Sequence, residues 1–282
     1  MAESPAQLSA AEQLAHCTVR IETDIGTGTG FFYRMAPDEK GDVHVPVIVT
    51  NKHVVDGSRT GRFLISRAKP DGLPNLSHHE TFVFENFPSH WLPHPDKDID
   101  LCAMPIAPIL IRARDAGVSL FYRSLESKLI PTPLEMEELS GVEEITMIGY
   151  PNGLWDRAHN LPIFRRGITA TNPRVDWNGK PEFLIDAACF PGSSGSPVFL
   201  FNQGGYFSKR GMNIGGVRLK LLGILYAGPQ YTVTGEIQIV TVPTADMPVA
   251  LSTIPNNLGI VVRATELAEL EAAIVARLEK SA

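Results

Sequence analysis

The 282-residue chain carries 25 Lys and Arg against 31 Asp and Glu, a formal charge of −6, which excludes the basic excess of a generic nucleic-acid or anionic-membrane binder. Charged residues at 20% and apolar residues at 44% allow a sizeable core and exclude a disordered chain. Gly and Pro together make up about 16% of the residues, against a usual sum near 12%, which fits many strands joined by tight turns. The length suits two units or one large all-β domain.

In chain order, Leu8, Ala11, Leu14 and Ala15 recur at helical spacing and predict a short leading helix over 5–16. The pattern then changes to strands. Thr18–Ile21 and Gly30–Tyr33 read as hairpin partners, followed by Val45–Thr50, Val83–Phe84 and Leu101–Met104. Asp, Asn and Gly clusters between them (38–41, Asp56-Gly57, Asp71-Gly72, Asn75) mark turns. The Pro- and charge-punctuated stretch 105–141 reads as a link between two halves. Strands resume at Ile145–Ile148, Phe183–Ile185, Val198–Leu200, Leu222–Tyr226, Ile237–Val240 and Ile260–Val262. Leu267, Leu270, Ile274 and Leu278 then predict a terminal amphipathic helix, with Thr265 as its cap and Lys280 at its negative end. Short strands with frequent turns favour a barrel or sandwich over a parallel α/β sheet.

Cys17, Cys102 and Cys189 are too few and too scattered for a disulfide framework, and predict buried thiols in a reducing compartment. The first residues lack the basic and apolar regions of a signal peptide, and no apolar run approaches a membrane span. The expected location is the cytoplasm.

Three short segments carry the chemistry. A serine between glycines, in Asp186–Pro197 (DAACFPGSSGSP), lets the backbone turn tightly about a nucleophile and lets a carbonyl approach successive N–H groups. Alone it reads as a Gly/Ser turn. His53 ends the β-rich run before Thr50-Asn51-Lys52-His53, and alone reads as structural. An acid leads an apolar strand in Asp98-Ile99-Asp100-Leu101, and alone reads as a turn residue. Their order, His then Asp then Ser, is more specific than any one of them.

With these segments the chain resembles the trypsin/chymotrypsin-fold serine proteases, and within them the bacterial HtrA-type branch. The resemblance also runs through Gly28-Thr29-Gly30-Phe31, Ile148-Gly149-Tyr150-Pro151 and Gly259–Val262, and covers roughly residues 19–270. It implies an all-β fold of two six-stranded antiparallel β-barrels, with short N-terminal and C-terminal helices. The units expected are an extension over 1–18, a first barrel over 19–125, a linker and second barrel over 126–264, and a helix over 265–282. It implies a triad of His53, Asp100 and Ser194, with Asp98 as the alternative acid, and an oxyanion hole from the N–H groups of Gly192 and Ser194. Ser193 and Ser196 are read as structural. The primary pocket would have its floor at Ala188 and a wall at Tyr226, Ala227 and Gly228; its uncharged floor points to a small or medium apolar side chain rather than Lys or Arg.

The resemblance calls for no metal or organic cofactor, and for a protein or peptide substrate. Ser193 stands where digestive proteases keep an acid, so clipping of the N-terminus is not the expected activation. No separate peptide-binding domain is expected after the protease. His78, His79, His90 and His94 are read as surface residues, because Pro93 and Pro95 break any helix that would align a metal set. Gly26-x-Gly28-x-Gly30 reads as a hairpin or barrel edge rather than a phosphate loop, and Arg165-Arg166 as a solvated strand end, with a partner contact as the alternative. The rival function is a protease-like fold kept as a silent or latent module that binds or senses a protein partner.

Overall fold

The computed structural model describes residues 8–38, 44–228, 230–234, 251–255 and 257–279. Helix α1 (Ala10–Leu14) starts on a reciprocal cap, Ser9 Oγ accepting from Glu12 N–H while the Glu12 carboxylate accepts from Ser9 N–H. The first half contains β1 (Thr18–Thr23), β2 (Thr27–Met35), β3 (Val45–Thr50), β4 (Thr60–Ala68), β5 (Pro74–Glu85), β6 (Leu92–Pro93), β7 (Cys102–Pro105) and β8 (Leu120–Phe121). Their order is β5-β4-β1-β2-β3-β7-β6, with β8 beside β4.

This corrects the expectation of two six-stranded barrels. The first half is an eight-stranded sheet whose path has two ends, because β4 and β5 pair with each other while β6 pairs with β7 alone. Strand β4 is absent from the sequence reading. Its inward residues Phe63 and Ile65 alternate with Arg62, Leu64 and Ser66, so the apolar run is too short to stand out.

The second half contains β9 (Glu144–Gly149), β10 (Ile163–Thr169), β11 (Glu182–Asp186), β12 (Pro197–Ser208), β13 (Gly211–Ala227), β14 (Gln230–Thr234), β15 (Leu251–Pro255) and β16 (Leu258–Arg263). Six of these follow one another round a closed ring, β10-β11-β16-β13-β12-β9, and β14 pairs with β15. The strands β12 and β13 run far beyond Val198–Leu200 and Leu222–Tyr226, as a long hairpin with Gly204, Gly211, Gly215 and Gly216 in left-handed conformations. The expected strand Ile237–Val240 lies outside the described residues.

The 105–141 link is more structured than its prolines suggest. It holds α3 (Ala107–Asp115), in which Pro108 occupies the first turn where its missing N–H costs nothing, and α4 (Pro133–Glu138), capped by Thr132 and Glu135; the short α2 (Lys52–Val55) precedes both. Helix α5 (Leu267–Glu279) follows a 3-10 turn over Ala264–Glu266. Thr265 lies inside that turn and bonds the Glu266 carboxylate, so it is not the helix cap. Lys280 and the Leu278 side chain lie outside the described residues.

The central core joins both halves. Phe31, Tyr33, Val47 and Val49 pack with Ile148, Phe199, Ile224 and Val262, and α5 docks on them through Leu267, Leu270 and Ile274. At roughly 1.5–3 kcal/mol per buried side chain of this kind, this shared cluster is a main stabilising element. All three thiols are free and buried. His94 corrects the surface reading: it is buried, accepts at Nδ1 from Asp96 N–H and donates from Nε2 to the Glu266 carbonyl, 3.2 Å away. No described helix is long and apolar enough to cross a membrane; that finding does not bear out the expected cytoplasmic location.

Candidate active site

Strand register brings the first two candidates together. Thr50 in β3 is opposite Cys102 in β7, so continuing the antiparallel pairing carries the start of α2 past Asp100. His53 Nδ1 lies 2.5 Å from Asp100 Oδ2, and the His53 backbone N–H donates to Asp100 Oδ1 at 3.2 Å. Asn51, fully buried at the start of α2, donates from Nδ2 to the Asp100 carbonyl at 2.7 Å. Asp98 is exposed and its backbone N–H donates to Asp96 Oδ1, whereas the carboxylate that meets His53 is that of Asp100.

The Ser194 loop comes from the other half and is held by β2. Thr29 N–H donates to the Ser194 carbonyl at 2.8 Å, and Thr29 Oγ1 donates to the Gly192 carbonyl at 2.9 Å. The same hydroxyl accepts from Tyr150 N–H at 3.1 Å, while Thr50 Oγ1 donates to the Thr29 carbonyl at 2.6 Å. Thr29 is fully buried and ties together β2, the end of β3, the turn after β9 and the serine loop. Glycine is required at two positions here. Gly192 and Gly195 have φ of +86° and +87°, and a Cβ at Gly195 would fall on the Thr29 carbonyl.

Carbonyl partners set the direction of the loop's N–H groups. A trans peptide points its N–H away from its C=O. The Pro191 carbonyl accepts from Asn152 N–H at 2.5 Å, which turns the Gly192 N–H away from Asn152. The Ser193 carbonyl accepts from Ser196 N–H at 3.0 Å, which orients the Ser194 N–H likewise. Among the described residues neither N–H donates to a protein acceptor, whereas those of Ser193, Gly195 and Ser196 all do. Ser193 and Ser196 are buried.

Ser194 is half-buried, and its hydroxyl donates to the Tyr226 carbonyl at 3.4 Å, a long bond; no hydrogen bond joins it to His53 among the described residues. The Tyr226 hydroxyl donates to the buried Glu182 carboxylate at 2.9 Å, and burial, followed by that carboxylate, pushes its pKa well above the ordinary phenol value. Ala188 is half-buried, Ala227 pairs with Ile260, and a Cβ at Gly228 would lie 3.8 Å from the Cys189 Cβ. The segment 226–228 therefore runs beside the loop 188–190 and next to the Ser194 hydroxyl. No cluster that could hold a metal occurs among the described residues.

Sequence reasoning missed Thr29, Asn51, Asn152 and Glu182. Thr29 sat within the Gly28-Thr29-Gly30 motif, and only its contacts reveal what its hydroxyl does.

A family model described as "Trypsin-like peptidase domain" matches residues 28–206, more than half of the chain. The chain belongs to the trypsin-like peptidase family. It is an enzyme of the serine-protease type. No curated protein sequence matches it. Two solved structures similar to this peptidase are of Rv3671c from Mycobacterium tuberculosis. One is a serine-to-alanine mutant in an inactive form, with 16% identity, a TM-score of 0.42 and 97% of each chain covered. The other is the Rv3671c protease in an inactive form, with 17% identity, a TM-score of 0.41, and 92% of this chain and 89% of that chain covered.

Proposed function

We propose that this peptidase is a serine endopeptidase acting through Ser194, His53 and Asp100 by way of an acyl-enzyme. The observation that carries the reading is the 2.5 Å contact of His53 Nδ1 with Asp100. A serine hydroxyl is a weak nucleophile, so a base must take its proton as it attacks the scissile carbonyl. With Nδ1–H held by Asp100, the His53 ring presents Nε2 as that base and then passes the proton to the leaving amine. The carbonyl oxygen becomes an oxyanion and accepts from the N–H groups of Gly192 and Ser194, which have no protein acceptor among the described residues. Water then attacks the acyl group, with His53 again taking and returning the proton. The substrate is a protein or peptide chain.

The motifs Gly28–Phe31, Thr50–Val55 and Asp186–Pro197 support the HtrA-type branch within the family. In the proposed arrangement the unit 19–125 supplies His53 and Asp100, and the unit 126–264 supplies Ser194. The uncharged floor at Ala188 supports a small or medium side chain at the cleaved position and argues against Lys or Arg; judged on the loop residues alone, that side chain is apolar.

One observation favours a second reading, a latent protease released by a protein partner. The Ser194 hydroxyl is engaged by the Tyr226 carbonyl and must rotate to meet His53. A fluorophosphonate probe tests both. Labelling of the wild type that is lost in Ser194→Ala and in His53→Ala supports the active enzyme, and labelling that appears only with an added partner supports the latent one. No labelling at any pH or with any partner refutes the catalytic reading.

A further inference from the structure

Strand β10 puts one cation against the loop that leads to Ser194. Its residues Ile163, Arg165, Gly167 and Thr169 face inward, whereas Phe164, Arg166 and Ile168 are exposed. Arg165 is opposite Met147, itself buried in the ring's core. The guanidinium carbon of Arg165 lies 5.0 Å from the centroid of the Phe190 ring, four residues before Ser194. Arg165 Nε is buried and has no hydrogen-bond partner, and no carboxylate pairs with this side chain among the described residues. The neighbouring Arg166, by contrast, points outward and pairs with Glu144 at 2.8 Å.

Three charged groups lie near the segments 188–190 and 226–228: Arg165, Asp186 and Glu182, whose buried carboxylate is taken up by the Tyr226 hydroxyl. Burial pushes the Cys189 thiol up to about 11; Arg165 opposes that rise and Asp186 adds to it by a lesser amount. Asp186 is exposed at the end of β11 and forms no ion pair with Arg165. The floor, Ala188, carries no charge, and neither do Phe190, Ala227 or Gly228. Among the described residues this cation has an aromatic ring and no ion-pair partner, and so lacks the carboxylate that such a group ordinarily acquires.

We propose that Arg165 makes the primary pocket an anion site, so that the enzyme cleaves after aspartate or glutamate. This rests on the serine-endopeptidase reading and adds a charged wall to the uncharged floor, replacing an apolar side chain by an acidic one of similar size. The planar guanidinium suits a carboxylate better than a point charge would.

The test uses the full chain and quenched peptides that differ only at the cleaved position: Glu, Asp, Gln, Ala or Lys, with the cut site mapped by mass. A charge-assisted contact predicts a kcat/KM for Glu or Asp about 10- to 100-fold above that for Gln. That ratio should fall towards one in Arg165→Gln, recover in part in Arg165→Lys, and shrink in the wild type as salt is raised. A wild type that cuts after Ala more readily than after Glu, or a ratio untouched by Arg165→Gln, overturns the inference. If Arg165→Gln does not fold, the wild-type panel and Arg165→Lys decide it. Labelling of Ser194 by a fluorophosphonate without an acidic preference defeats the role of Arg165 alone, whereas neither labelling nor cleavage defeats the protease reading with it.

Discussion

Replacing Thr29 by Val removes one hydroxyl and keeps the side chain's shape. The hydroxyl makes two bonds in a fully buried place, to the Gly192 carbonyl at 2.9 Å and from Tyr150 N–H at 3.1 Å. Valine leaves both backbone groups unpaired, and each such group costs about 1–3 kcal/mol. The Gly192 carbonyl belongs to the peptide next to the one that carries the Gly192 N–H, a donor of the proposed oxyanion hole. Loss of one correctly aimed oxyanion donor is worth about 3 kcal/mol in related systems, or about 100-fold in rate. The expected outcome is a kcat reduced about 10- to 100-fold with KM changed less than about two-fold, because the donors act on the transition state and not on the bound substrate. Thr29→Ser, which keeps the hydroxyl, should retain most of the rate. Steady-state kinetics on one peptide and a thermal melt of each variant provide the assay. A Thr29→Val enzyme with wild-type kcat, or equal losses in the valine and serine variants, refutes the reasoning.

The remaining predictions are briefer. Asp100→Asn should lower kcat about 10³- to 10⁴-fold by allowing the wrong His53 tautomer, while Asp98→Asn stays within about two-fold of wild type; the two variants assayed side by side separate the acids. The buried pair of Glu143 and Arg218, 2.6 Å apart, predicts that Glu143→Gln lowers stability by about 3 kcal/mol in urea unfolding, because Arg218 keeps its charge with only Asn202 and the Tyr206 ring beside it. His16 is buried against Phe121, and desolvation, followed by Arg123, lowers its pKa to about 4 from 6.5. The unfolded chain therefore binds a proton between pH 6.5 and 4 that the folded protein refuses. The stability contributed by His16 is full above pH 6.5 and falls as the pH drops, by about 2–3 kcal/mol near pH 4. Unfolding midpoints at pH 7 and pH 4.5 should lie closer together in His16→Phe than in the wild type; equal pH slopes would contradict this.

The local sequence determined what is decided by neighbouring residues. Short apolar runs bounded by turn residues marked β1, β2, β3, β9, β11 and β16; in β2, β3, β9 and β11 successive residues are buried, so both faces meet a core and the run stands out. The helical stripe Leu267–Leu270–Ile274 marked α5 by its period of 3.6. The order His53, Asp100, Ser194 marked a candidate set because each lies in a short segment of suitable residue types; the structure brings His53 to Asp100 and leaves the Ser194 hydroxyl on the Tyr226 carbonyl. Strand β10 was not legible: its inward positions include Arg165 and Gly167, so it has no apolar face to count.

Tertiary structure decided the rest. Which acid meets His53 depends on the register of β3 against β7, which moves every side chain when it slips by one residue. Whether the first sheet closes depends on pairings between its ends, which no local pattern contains. The hydroxyl of Thr29 meets the carbonyl of Gly192 across 163 residues of chain, and the Ser194 hydroxyl meets the Tyr226 carbonyl across a long hairpin. A hydrogen bond of that kind is specified by where two backbones arrive, so only the packed molecule reveals it.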